Sequence, residues 1–486
     1  MKKVLIVLAT VILLFICYLF FNLFTTNSKQ IVVAPIDKIK IDEDVIKHLA
    51  QAIQIKTIST ENTEAIDFSE FDKFNIFLKE TYPLTDSLLD KKLFNSYSHL
   101  YLWKGSNTSL KPIVLMGHID VVPVIEKNRK EWKEAPFKGI IKDDVIWGRG
   151  TMDDKVNVIG ILEATEALLK SGFQPERSIY YAFGHDEEIG GNNGAAVMAK
   201  YLEDNDIEAE FILDEGSVIT QGLIPGIDKD VALIGIAEKG SVSIQLSTKI
   251  EGGHSSMPSK ETAIDVLSSA ISKLKTNPFP AKLSQPLDGF IAYLGPEMGF
   301  PNNLVFANAG IFESVITGIY EKTASGNAMV RTTTSPTIFN AGVKDNVIPQ
   351  SASAMLNFRI LPGETVALVK ERIETLINDD RITISEGGFN SDPSVVSETE
   401  TESFRTIHKT IKEIYGNDVL VAPTLVVAAT DSKHYKNVSD NIYRFIPVHI
   451  NQDNIKAIHG INERISVDDF KDVIRFYTRI IENLEK

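Results

Sequence analysis

The stretch IVLMGHIDVVP, residues 113–123, places two polar side chains where an apolar segment ends. Its first four residues are apolar and predict a short buried strand. In open α/β sheets, sites form at the carboxyl ends of strands, which makes His118 a candidate site residue. Asp120 follows two residues later and could orient the imidazole of His118. A single His-x-Asp pattern is more often structural, so its meaning depends on the neighbouring strands.

Two further apolar segments also end in acidic residues. The segment 178–183 is followed by GHDEEIGG at residues 184–191, and the segment 209–213 is followed by DEG at residues 214–216. A buried cluster of carboxylates repels itself unless cations neutralise it. The repeated pattern therefore predicts a metal site at one edge of the sheet.

Two loops complete the set of polar motifs. WGRGTMDDK, residues 147–155, has glycines ahead of paired aspartates and predicts a tight turn that opens a helix. Taken alone, such aspartates could simply cap the helix and interact with its dipole. AIHGINE, residues 457–463, places His459 after the last predicted strand.

The strength of the prediction lies in the combination of these motifs. Two imidazoles and three carboxylates suit two zinc ions about 3.5–4 Å apart. The single cysteine, Cys17, lies in the N-terminal apolar run, so the rest of the chain offers neither a thiolate ligand nor a disulfide. Glu187, next to a candidate ligand, is free to act as a general base. The candidate ligands are His118, Asp153, Glu188, Asp214 and His459.

The pattern of strands and helices predicts an α/β fold with an insertion. A chain of 486 residues exceeds what one hydrophobic core usually supports. Before residue 240, short apolar strands alternate with helices, which predicts a mostly parallel sheet with helices on both faces. From Gly240 the strands alternate polar and apolar residues, as in a half-exposed antiparallel sheet. The predicted parts are an anchor and tether (1–30), a catalytic domain in two segments (31–239 and 393–486), and an inserted α+β lid or dimerisation domain (240–392).

The N-terminus predicts a membrane anchor. Lys2 and Lys3 precede an apolar run from Val4 to Phe24, and about 20 residues are enough to span a bilayer. Lysines before the run favour a cytoplasmic N-terminus, with the catalytic part on the periplasmic or extracellular side. The alternative is a cleaved signal peptide, whose apolar stretch is normally about 7–15 residues. We favour the anchor because the run is longer and no small-x-small cleavage site follows it before Lys29.

The charge balance excludes one class of partner. The formal net charge is -15, from 50 basic and 65 acidic residues. Phosphate binding needs clustered lysines and arginines, so no nucleic-acid partner is expected.

In this order, the motifs GHIDVVP, GRGTMDDK, GHDEEIGG and LDEG and the final histidine resemble the zinc aminoacylase/carboxypeptidase S family. The resemblance extends from about residue 40 to the C-terminus. It implies that His118 and Asp214 bind one zinc ion, that Glu188 and His459 bind the other, and that Asp153 bridges both. Manganese or cobalt could occupy the same ligands.

The resemblance also implies the catalytic roles. Glu187 would be the general base and Asp120 would orient His118. The peptide bond between Asp153 and Asp154 would be cis.

Three lid residues resemble the family's substrate-binding positions. His254, in GGHSSMP at residues 252–258, would steady the oxyanion. Asn346 and Arg359 would bind the substrate, since an arginine fork pairs bidentately with a terminal carboxylate. In dimeric relatives the lid histidine comes from the partner subunit, whereas a longer lid such as this one can replace that subunit. A homodimer through the lid therefore stays open.

A fourth substrate-binding candidate lies near the C-terminal part of the chain. Ser432 belongs to ATDSKHY, residues 429–435, which resembles a loop that recurs in the family. The usual pattern has Gly before Thr and Arg after Ser, where this chain has Ala429 and Lys433.

These features predict an enzyme that cleaves the amide bond of small peptides, of carboxypeptidase or dipeptidase type. An N-acyl amino acid amidohydrolase is the alternative, because the same site cuts both substrates and the stretch 279–306 is apolar enough to bind an acyl chain. A third hypothesis is a catalytically inactive, membrane-tethered binding protein. The complete ligand set and Glu187 disfavour it.

Overall fold

The computed structural model describes residues 1–484, with helices distributed over the whole of that range. The α-helices are α1 (Lys2–Thr25), α2 (Val45–Gln54), α3 (Phe68–Thr81), α4 (Pro83–Leu88), α5 (Lys155–Lys170), α6 (Ala195–Asp204), α7 (Ala263–Thr276), α8 (Gln285–Leu294), α9 (Asn302–Ala307), α10 (Ala309–Tyr320), α11 (Ala324–Val330), α12 (Val366–Ile377), α13 (Glu402–Tyr415) and α14 (Val467–Asn483).

The strands within residues 1–484 fall into four sheets. They are β1 (Asp90–Phe94), β2 (Ser98–Trp103), β3 (Ile113–His118), β4 (Ile140–Lys142), β5 (Val145–Trp147), β6 (Ile179–Gly184), β7 (Ile212–Asp214), β8 (Ile219–Thr220), β9 (Val231–Glu238), β10 (Gly240–Lys249), β11 (Gly253–His254), β12 (Thr333–Ala341), β13 (Val347–Ile348), β14 (Ser351–Ile360), β15 (Ile382–Ser391), β16 (Leu420–Val426), β17 (Ile442–Arg444), β18 (His449–Ile450) and β19 (Arg464–Ser466).

The largest sheet has ten strands in the order β1-β2-β6-β3-β7-β17-β9-β8-β18, with β16 paired to β9. Its centre is parallel, since β3 pairs in parallel with β6 and β7, and β7 with β17. One edge of the sheet is antiparallel, since β2 pairs in antiparallel fashion with both β1 and β6. The predicted α/β class is confirmed, although the sheet is more mixed than the sequence suggested.

Helices cover both faces of this sheet, which is why its central strands are apolar throughout. Every residue of β3 is buried. Ile113 and Leu115 belong to one hydrophobic cluster, and Val114 and Met116 belong to another. Because successive strand residues point to opposite faces, the two clusters are the two sides of the sheet.

A second sheet of four antiparallel strands has the order β12-β14-β10-β15. Buried and more exposed residues alternate along β14, so one face is covered and the other meets solvent. Helices α7 and α12 supply apolar side chains to the covered face. This half-exposed α+β unit corresponds to the predicted lid, whereas its boundaries at 240 and 392 stay a prediction.

Part of the predicted lid segment packs elsewhere. Helix α8 lies against β16 of the large sheet. Its side chains Leu287 and Phe290 share a hydrophobic cluster with Leu420 and Val421. The apolar face of α8 therefore covers the large sheet, although α8 falls within the segment 240–392 that the sequence assigned to the lid.

Helix α1 is long and apolar enough to cross a membrane by length and composition. Its residues 2–18 are exposed, and Leu19 is its one buried residue. A signal sequence near the N-terminus would have the same properties.

The contact between α5 and α14 depends on a glycine. A Cβ atom added at Gly160 would lie 2.4 Å from Cγ1 of Val473, which is fully buried. We predict that Gly160→Val lowers the free energy of unfolding by about 1–3 kcal/mol, since overpacking forces helices apart. Urea unfolding of the purified chain measures the change. Gly318→Ala is the matched control, because no atom lies within 4 Å of its added Cβ; a control that loses as much stability would refute this account of the contact.

Candidate active site

Four elements bring the predicted site residues to one edge of the large sheet. His118 is the last residue of β3, and Glu187 and Glu188 open the turn after β6. Because β3 and β6 are adjacent and parallel, their carboxyl ends meet at this edge. Asp153 precedes α5, and His459 follows β18. Chain segments far apart in the sequence therefore converge on one cluster.

The carboxylate of Asp153 lies between two imidazoles. Its Oδ1 is 3.0 Å from Nε2 of His118, and its Oδ2 is 2.9 Å from Nε2 of His459. The same His459 nitrogen is 3.2 Å from Oε2 of Glu188. The peptide bond between Asp153 and Asp154 is cis, as the family resemblance implied.

Two groups of side chains could each hold a metal ion, and both include Asp153. One group is His118, Asp153 and Glu215, and the other is Asp153, Glu188 and His459. Within each group the ligand atoms lie within 4.8 Å of one another. Imidazoles and carboxylates in such groups fit the ligand preferences of zinc. The two groups therefore share the carboxylate of Asp153 as a candidate ligand.

Glu215 occupies the place that the sequence assigned to Asp214. The Asp214 carboxylate is buried, and its two oxygens accept hydrogen bonds from the backbone N–H groups of Ser432 and Glu215, both at 2.9 Å. Of the two acids, Glu215 is the one with a carboxylate oxygen within 4.8 Å of ligand atoms of His118 and Asp153. From the sequence the two acids of LDEG are equivalent candidates.

Asp120 lies where an orienting residue is needed. Its Oδ1 is 3.2 Å from Nδ1 of His118, which leaves Nε2 facing Asp153. The same carboxylate accepts hydrogen bonds from the backbone N–H groups of Glu187 and Glu188, both at 3.2 Å. Asp120 thus fixes both the imidazole of His118 and the turn that carries Glu187 and Glu188.

The cluster carries an excess of negative charge. Burial and the surrounding carboxylates raise the pKa of Glu187 and the pKa of Glu215 well above their usual values. Hydrogen bonds to Asp153 and Glu188 raise the pKa of His459 to about 10. Both kinds of shift mean that the cluster favours bound positive charge. Metal cations would compete with protons for these groups.

Asp431 is a buried acid that the sequence reasoning missed. Within residues 1–484, neither carboxylate oxygen has a hydrogen-bond partner, and burial raises its pKa well above the usual value. A Cβ atom at Gly184 would lie 2.4 Å from its Oδ2, and one at Gly191 would lie 2.0 Å from its Oδ1. Both glycines are thus needed to admit this carboxylate. The sequence signal that could have indicated Asp431 was its position in ATDSKHY, next to Ser432.

Ser432 is enclosed by the protein. Its side chain is fully buried. Its hydroxyl is 2.7 Å from Oγ1 of Thr430 and accepts a hydrogen bond from Nε of Arg444 at 3.1 Å. This hydroxyl is paired inside the protein, and the substrate contact of Ser432 stays a prediction.

The lid candidates are not hydrogen-bonded to the cluster within residues 1–484. His254 and Asn346 are neighbours at the pairing of β11 with β13, where the backbone N–H of Ser255 donates to the carbonyl of Asn346 at 3.2 Å. Arg359 lies on β14. Over the described range 1–484, no hydrogen bond or ion pair joins these three side chains to the cluster. Their predicted roles stay untested by this geometry.

Glu463 ties together the two loops that bear Asp153 and His459. Its Oε1 accepts hydrogen bonds from backbone N–H groups within residues 150–153 at 2.9, 2.9 and 3.3 Å. Arg149 donates to the other carboxylate oxygen, and also to the carbonyl of Gly460 at 3.0 Å. The sequence reasoning missed this residue, although it stands four positions after His459 in AIHGINE.

The family comparison agrees with this geometry. The family model for "Peptidase family M20/M25/M40" matches residues 114–483. The fold, the site and this match define a metal-dependent hydrolase of amide bonds. The predicted class of enzyme is thereby confirmed. The chain belongs to the peptidase family M20/M25/M40.

Three curated relatives illustrate the similarity in sequence. "Probable carboxypeptidase S-like 2" of Dictyostelium discoideum is 45% identical over 449 residues, covering 92% of this chain and 86% of that protein. "N-fatty-acyl-amino acid synthase/hydrolase PM20D1" of Homo sapiens is 37% identical, covering 90% and 87%. "Carboxypeptidase S" of Saccharomyces cerevisiae is 31% identical, covering 91% and 84%.

Solved structures share the fold at lower identity. The M20 family metallo-carboxypeptidase Sso-CP2 of Sulfolobus solfataricus matches with a TM-score of 0.68 at 19% identity, over 92% of this chain and 100% of that one. Human carnosine dipeptidase 1 matches with a TM-score of 0.63 at 12% identity, over 91% and 96%.

The Glu463 contacts lead to a prediction about metal affinity. Glu463→Gln leaves one oxygen where two now accept hydrogen bonds, so either the 150–153 loop or Arg149 loses its partner. Partners behind metal ligands typically contribute about 10–100-fold to metal affinity, and we expect a loss of that order. Competition with a zinc chelator measures it. Glu126→Gln, at an exposed surface ion pair, is the control. Unchanged zinc affinity in Glu463→Gln would show that the two loops hold their positions without this carboxylate.

Proposed function

We propose that the cluster binds two zinc ions, with Asp153 bridging them. His118 and Glu215 would complete one site, and Glu188 and His459 the other. The observation that carries the proposal is that both ligand groups include Asp153, whose two oxygens face different histidines. The excess of carboxylates supports a need for cations.

Glu187 is the proposed general base. Zinc ions bound here would lower the pKa of water and polarise the scissile carbonyl. Glu187 accepts the proton of the attacking water and returns it to the leaving amine. Burial raises the pKa of Glu187 above its usual value, which makes its carboxylate a stronger base. Asp120 keeps Glu187 in place through the backbone hydrogen bond.

The lid is proposed to supply the substrate contacts. His254 would stabilise the oxyanion, and Asn346 and Arg359 would bind the substrate. Because no hydrogen bond or ion pair within residues 1–484 joins these three side chains to the cluster, closure of the lid or a second subunit would bring them to it. Arg359 would pair with a terminal carboxylate and so restrict the enzyme to the end of a chain.

The proposed reaction is the removal of a C-terminal residue from small peptides, of carboxypeptidase or dipeptidase type. Relatives named carboxypeptidase S and carboxypeptidase S-like support this choice. Hydrolysis of N-acyl amino acids is the second candidate. It is favoured by relatives named N-fatty-acyl-amino acid synthase/hydrolase, which are 36–39% identical to this chain. Both reactions break an amide bond next to a free carboxylate.

We also propose that α1 is an uncleaved anchor that holds the catalytic part outside the cytoplasm. The lysines at its start favour this orientation. The end of α1 is integrated into the fold, since the carbonyl of Leu19 accepts a hydrogen bond from Asn308 at 3.1 Å. A removable signal sequence has no need of such contacts.

Glu187→Gln tests the general base. The variant keeps the side-chain size but cannot accept a proton, so we expect kcat to fall by about 10²–10⁴-fold. Zinc content, measured by elemental analysis, should stay at the wild-type value because Glu187 is not a proposed ligand. Glu61→Gln, on the exposed surface, is the control and should keep full activity. Near-normal turnover in Glu187→Gln would remove the base assignment.

A substrate comparison tests the specificity. Wild-type enzyme, stripped with a chelator and reloaded with zinc, should cleave dipeptides and N-acyl amino acids but not their carboxyl-amidated forms. Arg359→Ala should raise KM for the free-carboxylate substrates by about 10–150-fold, the range for a lost charged hydrogen bond. Arg405→Ala, in a surface ion pair, is the matched control. Equal cleavage of free and amidated substrates would refute the exo-acting specificity. The ratio of kcat/KM between dipeptides and N-acyl amino acids ranks these two substrate classes.

A further inference from the structure

Helix α10 presents an apolar stripe to the solvent. Val315 and Ile319, 51% and 56% exposed, lie four residues apart on one face of the helix after its kink at Phe312, and Ile311, 46% exposed, precedes the kink. The opposite face is buried through Ile316 and Thr317. A row of exposed apolar side chains on one helix face indicates a contact surface.

The start of α10 is held against the N-terminal helix. Asn308, the residue before α10, donates to the carbonyl of Leu19 at 3.1 Å and accepts from Nδ2 of Asn22 at 2.8 Å. Helix α9 also packs on α1. Leu19 is 8% exposed, whereas residues 2–18 of α1 are exposed. Helix α10 therefore begins at the level of the last turns of α1.

The length of α1 sets the position of this contact relative to a bilayer. At a rise of 1.5 Å per residue, the apolar run 4–24 is about 30 Å long, the thickness of a hydrocarbon core. Leu19 and Asn22 lie inside that run. The groups that touch them would then lie within about 8 Å of the outer boundary of the hydrocarbon core, since Leu19 is five residues from the end of the run. This step rests on the anchor proposed above.

We propose that the α10 stripe is a membrane-docking surface that lies on the lipid beside the anchor. Ile311, Val315 and Ile319 would enter the boundary between headgroups and acyl chains, as apolar faces of interfacial helices do. Phe300, 68% exposed just before α9, would join them.

The occupant we assign is a lipid surface, because the stripe is continuous with the anchor. The exposed part of α1 and the stripe of α10 are both apolar, and Asn308 joins them. Ser314 and Gly318, between the stripe residues, carry no charge. The one charged residue of α10, Glu313, accepts a hydrogen bond from the backbone N–H of Leu283 at 3.2 Å. A bilayer around α1 would cover both surfaces at once.

Quenching of tryptophan fluorescence by brominated acyl chains tests the surface. The full chain is reconstituted into phosphatidylcholine vesicles with and without brominated lipid. Ile319→Trp reports on the stripe, Phe15→Trp on the span, and Val343→Trp, at a position 98% exposed in the second sheet's region, on the solvent. The parent chain corrects for its three native tryptophans. Ile311→Trp is a second stripe probe in case Ile319→Trp disturbs the fold.

We expect brominated lipid to remove most of the added fluorescence of Ile319→Trp and Phe15→Trp but not that of Val343→Trp. Quenching of Phe15→Trp alone would overturn the docking surface and leave the anchor intact. An unquenched stripe whose emission shifts with protein concentration would assign it to a second copy and overturn the proposal. An unquenched Phe15→Trp would overturn the anchor and the docking surface together, while the proposed hydrolysis would be unaffected.

Discussion

The carboxylate of Asp153, placed between the imidazoles of His118 and His459, is the contact on which the catalytic region depends. It joins a strand end, the loop before α5 and a loop near the end of the chain. Further side chains hold these three segments in place. Asp120 contacts His118, and Glu463 and its partner Arg149 hydrogen-bond to the other two loops. The site is therefore a junction of loops, and the large sheet acts as the frame that brings their starting points together.

Such a junction concentrates like charges, and the fold accommodates them in several ways. Burial raises the pKa of Glu187, Glu215 and Asp431 well above usual values, so the cluster is costly to ionise without cations. Backbone N–H groups stabilise Asp120 and Glu463, which lie just behind the cluster. Asp431 has no such donors within residues 1–484, and only the bare backbone of two glycines gives it room.

The sequence predicted the fold class and the location of the cluster because both follow from local patterns. Apolar segments ending in acids or histidine mark the carboxyl ends of buried strands, as β3 and β6 show. It could not separate Asp214 from Glu215, since that choice depends on how the chain leaves β7. Nor could it find Glu463 or the packing of α8 on β16, because each is a contact between distant segments. The roles of His254, Asn346 and Arg359 still rest on resemblance alone.

The spread of the cluster along the chain has a consequence for biosynthesis. Its first histidine is His118 and its last is His459, which Glu463 and α14 follow. No site with both histidines exists until the chain has been made as far as residue 459. If α1 directs the nascent chain across a membrane, as we propose, the catalytic part folds on the far side. The enzyme would then take its metal from the extracytoplasmic pool, and its maturation would depend on zinc supply outside the cytoplasm.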